Sequence, residues 1–196
     1  MSPAPSDSPA PSDSPAQGHR PADDGRVSPL ASPEEGSRPE RPQAKVVTVS
    51  DGVMAGTRQD LSGQALEDAL RSAGFDVVER SVIADGVASV AGELARVSAS
   101  FHGVVVTTGG TGFAPRDQTP EGTREVIERD APGLAEAMRL VNPLGRLSRG
   151  VAGIRGHSVI LNTPGSPKGA AECLAAVIDI LPHALALLGD QPTRHP

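Results

Sequence analysis

The stretch VVVTTGGTGFAPRDQTPEGT, residues 104–123, decides how the rest of the chain is read. It opens on β-branched residues, Val104 to Thr108, which suit a strand buried on both faces. Gly109, Gly110 and Gly112 then interrupt the run. Arg116 and Asp117 follow, and Thr119-Pro120 has the form of a helix cap with proline at the first helical position. Strand, glycine turn, helix is the order in which open α/β sheets build ligand sites beyond the carboxyl ends of their strands. The bare N–H groups of the three glycines, with the hydroxyls of Thr108 and Thr111, form a concavity suited to phosphate. It is not a P-loop, since no Lys-Ser/Thr follows at the required spacing, and the third glycine of the dinucleotide fingerprint is missing. Asp117 would repel a phosphate on its own. Its presence makes sense if a divalent cation bridges the two.

Working outward, the same alternation continues. KVVTVS (residues 45–50), DVVERSVI (76–83), GVVVTT (103–108) and HSVILN (157–162) read as strands. Between the first two, Leu66, Ala69, Leu70 and Ala73 share one helical face, with Ser62 as the cap. Val87, Val90, Ala91, Leu94 and Val97 repeat at helical spacing. A helix from Thr119 is expected to hold Val126 and Ile127, another spans 133–141, and a long amphipathic helix spans 168–181 before Pro182 bends or restarts it ahead of 185–188. Continuously apolar strands alternating with helices imply an α/β fold with a mostly parallel sheet covered on both faces.

The other strand ends are also chemically unusual. The first runs into Ser50-Asp51-Gly52 and on to Asp60 and Ser62-Gly63, the second into Ala84-Asp85-Gly86; each taken alone is equally turn chemistry. The last strand runs into Pro164-Gly165-Ser166-Pro167-Lys168, a stiffened turn at the start of a helix. RLSRGVAGIRG (residues 146–156) supplies Arg146, Ser148, Arg149 and Arg155, the best basic candidates for an anion in an acidic domain. Together these loops point to a phosphate-bearing small molecule with Mg²⁺.

Composition bounds the partners. Residues 1–43 carry 10 of the 19 prolines and two copies of APSDSP, with few large apolar side chains, and are expected to form a disordered extension. Residues 44–190 are expected to form one domain, and 191–196 a short tail. The net charge of −6 divides evenly, −3 on each side of that boundary, so neither part offers the basic field that nucleic acid needs. Without Trp or Tyr there is little to stack on bases. No apolar run approaches the ~20 residues of a membrane span. The single Cys173 fits a reducing compartment, and no secretory signal is legible, so a cytoplasmic protein is expected.

The motifs TTGGTGFAPRDQTPEGT, LNTPGSPKGAAEC and VSDGVMAGTRQDLSG together resemble the MoaB/Mog family of molybdenum-cofactor biosynthesis, over about residues 44–190. That resemblance implies a three-layer α/β/α fold of the molybdopterin-binding type, assembled as a homo-oligomer (trimer or hexamer). It implies adenylylation of molybdopterin by ATP with Mg²⁺, releasing pyrophosphate, and transfer of the product to the molybdate-inserting protein. Two aspartates of the family match Asp85 and Asp117 as catalytic, metal-holding residues. Asp117 lies in the Arg-Asp-x-Thr-Pro motif; Asp85 matches by its place after the second strand, where relatives read Pro-Asp and this chain reads Ala-Asp. Ser50, Asp51, Gly109, Gly110, Thr111, Gly112, Ser148, Pro164, Gly165 and Pro167 fall in the same cleft. Some family members bind molybdopterin without adenylylating it, which leaves a carrier or scaffold as the alternative. An unrelated Mg²⁺-nucleotide hydrolase would use a similar glycine loop.

Overall fold

In the computed structural model, which describes residues 41–189, six strands form one sheet. They are β1 (Gln43–Val49), β2 (Asp76–Ile83), β3 (Gly103–Thr108), β4 (Arg129–Asp130), β5 (Ala152–Arg155) and β6 (Ser158–Thr163). Their spatial order is β2-β1-β3-β6-β5-β4. The four long strands pair in parallel, and β5 and β4 extend one edge antiparallel. The expected extension, except for residues 41–43, and the expected C-terminal tail lie outside the described residues. Gln43 opens β1, and the carbonyl of Pro42 accepts from the N–H of Asp76.

Every residue of β3 and β6 is buried, which is why their sequences run apolar without alternation. Successive side chains nevertheless serve opposite faces. Val104, Val106 and Leu161 pack with Leu66, Leu70, Leu174 and Leu181, whereas Val105 and Ile160 pack with Val47, Val90 and Leu94. The first face is covered by α2 (Leu61–Ser72), α5 (Pro132–Leu140), α6 (Pro167–Ala175) and α7 (Leu181–Leu188). The second is covered by α3 (Val87–Ser98) and the short α4 (Thr119–Arg124). Helices on both faces of a mostly parallel sheet are the three layers the alternation implies.

The local departures from expectation have local causes. Asp60, not Ser62, caps α2: its carboxylate accepts from Gly63 N–H at 2.9 Å and is itself held by Thr48 and Arg80. Ser50-Asp51-Gly52 is not an open loop but the entry to a one-turn helix, α1 (Asp51–Met54), whose Val53 N–H donates to Ser50 Oγ. Thr119 begins α4 instead of capping it, because its hydroxyl donates to the Gly109 carbonyl, and the helix ends before Val126 and Ile127. The expected helix over 168–181 stops at Ala175. Pro182 has no N–H to continue the ladder and sits in the first turn of α7 instead. Strands β4 and β5 were not expected at all. They are two and four residues long, and β5 returns to β6 through a two-residue turn with Gly156 at φ 53°.

Helices α3 and α4 approach closely where Gly122 faces α3. A Cβ at that position would stand 2.7 Å from the Val87 carbonyl oxygen and from Val90 Cβ, whereas one on Gly92 of α3 would meet nothing. Gly122→Ala is therefore expected to destabilise the domain by about 1–3 kcal/mol. Gly92→Ala should stabilise it by about 0.4–1 kcal/mol through helix propensity. Urea denaturation of both variants checks the pair.

Candidate functional site

Because β1, β2, β3 and β6 run parallel, their carboxyl ends lie along one edge of the sheet, and the loops that follow them meet there. The glycine turn after β3 is held by backbone and hydroxyl groups. Gly109 (φ 100°) and Gly110 (φ 61°) occupy the left-handed region, and side chains there would collide with the Val49 carbonyl and the Thr119 hydroxyl. Thr119 donates to the Gly109 carbonyl at 2.9 Å, and its N–H to the Gly110 carbonyl at 3.0 Å.

Beneath the turn lies a buried polar ladder. Asn162 Nδ2 donates to the hydroxyls of Thr107 and Thr123, both at 3.0 Å, and its Oδ1 accepts from Val151 N–H. Thr123 donates to the Thr119 carbonyl at 2.8 Å. Thr108, expected to face a ligand, instead spends its hydroxyl on the Pro164 carbonyl at 2.8 Å, tying the glycine turn to the Pro-Gly-Ser-Pro turn. Gly109 N–H likewise goes to the Thr163 carbonyl, at 3.1 Å, and is not available to a ligand.

Two cavities open on this edge and share a wall. The first, about 710 Å³, takes in Gly110, Thr111, Gly112, Ser148, Pro164 and Gly165, together with Met138, Arg139 and Cys173 from α5 and α6. The second, about 790 Å³, takes in Ser50, Arg58, Ser62, Asp85, Gly109 and Pro167. Gly110, Asp117, Gly165 and Ser166 border both. Of the residues that the resemblance places in the cleft, only Asp51 borders neither. Asp51 is locked to Asp85 instead: each backbone N–H donates to the other's carboxylate, at 3.0 and 3.1 Å, and Asp51 also pairs with Arg116.

The basic candidates divide differently from expectation. Arg155 donates to the Val126 carbonyl, Arg146 borders neither cavity, and Arg149 is engaged with the glycine loop. Arg139 and Arg58 border a cavity and were not among the expected basic candidates, although Arg58 lies within the stretch VSDGVMAGTRQDLSG. Arg139 belongs to α5, and its Nη1 donates to the Gly150 carbonyl at 2.9 Å.

Among the described residues no three His, Cys, Asp or Glu side chains converge as a metal-binding group. Asp85 and Asp117 still fit Mg²⁺, which commonly takes one or two carboxylates and completes its shell with water and substrate phosphates. Each uses one oxygen internally: Asp85 Oδ2 accepts from Asp51 N–H, and Asp117 Oδ2 accepts from Ala114 N–H at 2.9 Å.

Half-buried Cys173 borders the first cavity and donates to the Met138 carbonyl at 3.4 Å. Burial, and secondarily the Glu172 carboxylate, pushes its thiol above the ordinary range, so less of it is thiolate at neutral pH than in a free cysteine.

A three-layer domain with a glycine turn and aspartates at the carboxyl edge of a mostly parallel sheet has its cavities where open α/β folds bind ligands. Residues 45–183 match the family described as "Probable molybdopterin binding domain", and the chain belongs to that family, alongside MoaB and Mog proteins. It is 38% identical over 150 residues to a Helicobacter pylori (strain J99) protein named molybdopterin adenylyltransferase, covering 73% of this chain and 85% of that protein. Similarity to the Drosophila melanogaster molybdenum cofactor synthesis protein cinnamon is 37% over 151 residues, covering 74% of this chain but spanning only a quarter (25%) of that longer protein. The crystal structure of the molybdopterin biosynthesis enzyme MoaB from Thermus thermophilus superposes with a TM-score of 0.71 at 44% identity, covering 78% of this chain and 99% of that one.

Two outcomes follow from this geometry. Asn162→Leu leaves the Val151 N–H and two threonine hydroxyls without their partner and is expected to cost about 1–3 kcal/mol in urea denaturation. Iodoacetamide should alkylate Cys173 at pH 8 at least about tenfold more slowly than free cysteine, as followed by intact mass.

Proposed function

We propose that the chain adenylylates molybdopterin, using ATP and Mg²⁺ and releasing pyrophosphate. The observation that carries this reading is the pair of cavities that meet at Gly110, Asp117, Gly165 and Ser166. Two phosphate-bearing substrates, one in each cavity, would bring their phosphates together at that shared wall. The curated relatives named molybdopterin adenylyltransferase support the same chemistry.

In this reading the terminal phosphate oxygen of molybdopterin forms a bond to the α-phosphorus of ATP. The bond from that phosphorus to the bridging oxygen breaks, and pyrophosphate leaves with the electron pair. No enzyme-bound covalent intermediate is needed, consistent with the raised thiol pKa of Cys173. The N–H groups of Gly110, Thr111 and Gly112 orient a phosphate at the shared wall, and their rigid seating on Thr119 avoids reorganisation during the reaction. Asp85 and Asp117 would hold Mg²⁺, whose charge would screen the repulsion between the two anions and offset charge on the leaving group. Ser50 and Pro167 border the nucleotide side and Ser148 and Pro164 the pterin side, while Asp51 acts by holding Asp85.

The chain would work as a homo-oligomer, trimer or hexamer, and pass its product to a molybdate-inserting protein. Exposed Leu140, Leu144 and Leu147 beside the first cavity support self-association. Among the described residues no helix is long and apolar enough to cross a membrane, in keeping with a cytoplasmic role.

Purified protein is expected to release pyrophosphate from ATP and Mg²⁺ only when molybdopterin is added. Asp117→Asn should lower that release by at least about 10²-fold while leaving molybdopterin binding intact. Release without the pterin would indicate a nucleotide hydrolase. Saturable pterin binding without release would indicate a carrier.

A further inference from the structure

We propose that Arg149 is a positioning residue: a guanidinium clamp that fixes the loop carrying Asp117, and not a ligand for substrate phosphate. The inference rests on the proposed role of Asp117 but is read from bonds within this chain. Arg149 leaves the short 3-10 helix Pro143–Leu147 two residues on, and its backbone N–H donates to the Thr111 carbonyl at 2.8 Å. Its side chain then turns along the loop. Nε donates to the Gly112 carbonyl at 2.7 Å, Nη2 to the Asp117 carbonyl, and Nη1 to Glu121 Oε1 at 2.5 Å.

One planar group therefore joins the root of the loop, its aspartate, and α4 beyond it. The segment between is an excursion with little support of its own. Phe113 is 69% exposed, and residues 114–116 are exposed as well. Asp117 N–H donates back to the Ala114 carbonyl, and its Oδ2 accepts from Ala114 N–H, both at 2.9 Å, so the turn is closed on itself and anchored through Arg149 at its base and the exposed Arg116–Asp51 ion pair near its tip. Removing the clamp frees two carbonyls that face the same donor and leaves Glu121 without a cation, although its Oε2 is already buried without a hydrogen bond.

The geometry is specific to arginine. Nε and one Nη lie on the same edge of a rigid fork, matching two carbonyl oxygens at once; a lysine ammonium presents a single point of donation. With Nε and Nη2 spent on carbonyls and Nη1 on Glu121, the Nε–Nη2 edge is closed to a phosphate, and the two remaining N–H groups sit on nitrogens already held in place. This is why a basic residue in the right stretch of sequence is not a phosphate ligand.

The test compares the full chain with Arg149→Lys and Arg149→Met, after thermal melts confirm that each folds. Two readouts are taken. Hydrogen exchange of the ligand-free protein over residues 112–118 is expected to accelerate about tenfold in both variants, while exchange in β3 stays unchanged. In pyrophosphate release, kcat is expected to fall at least about 30-fold, with KM for ATP and for molybdopterin within about twofold of the parent. Added ethylguanidinium should recover part of the kcat lost in an Arg149→Ala variant. Unchanged exchange over 112–118 would overturn the clamp. So would a rise in KM at constant kcat, which would make Arg149 a substrate ligand. If the parent protein released no pyrophosphate, the proposed activity would fail, and the exchange measurement alone would decide the clamp.

Discussion

The site depends on a buried amide. Asn162, near the end of β6, reaches across to Thr107 on β3 and Thr123 on α4, and it receives Val151 N–H from the start of the edge hairpin. Four segments distant in sequence are thereby held at one point below the glycine turn. A polar network in a dry interior stabilises only when every member is satisfied, because an unpaired buried group costs more than a typical bond contributes. Here the hydroxyls pass the requirement along, from Asn162 to Thr123, to the Thr119 carbonyl, and from the Thr119 hydroxyl to Gly109. The glycines can then stand in left-handed conformations, with their neighbours' N–H groups turned outward.

That arrangement separates holding from binding. Among groups suited to the chemistry, many are spent on structure: the Thr108 hydroxyl, the Gly109 N–H, one oxygen of Asp85 and one of Asp117, and the guanidiniums of Arg149 and Arg155. What is left over at the shared wall is a small set of backbone donors and carboxylate oxygens on rigid supports. Preorganised dipoles of this kind are worth more than flexible charges, since nothing has to rearrange when a phosphate arrives.

The layers of the fold were legible because each rests on a short-range pattern. GVVVTT could only be a strand buried on both faces, and Val90, Leu94 and Val97 could only share one face of a helix. Boundaries were less legible where a distant partner competed with a local signal. Asp60 took the cap of α2 from Ser62 because Thr48 and Arg80 fix its carboxylate, and the antiparallel edge formed because β5 found β6 through a turn of two residues. Of the residues the resemblance assigns to the cleft, all but Asp51 border the two cavities, whereas the basic candidates Arg146, Arg149 and Arg155 do not, and the division of labour was not legible at all.

By itself, the sequence determined the alternation of strands and helices, the glycine turn, and the residue types gathered at the strand ends, all of which follow from spacing and from what glycine and proline permit. Tertiary structure alone decided which of those groups face a ligand. A hydrogen-bonding group has the same identity whether it meets a carbonyl fifty residues away or an incoming phosphate. Thr108 and Pro164, or Arg149 and Gly112, become partners only when the sheet brings their segments side by side.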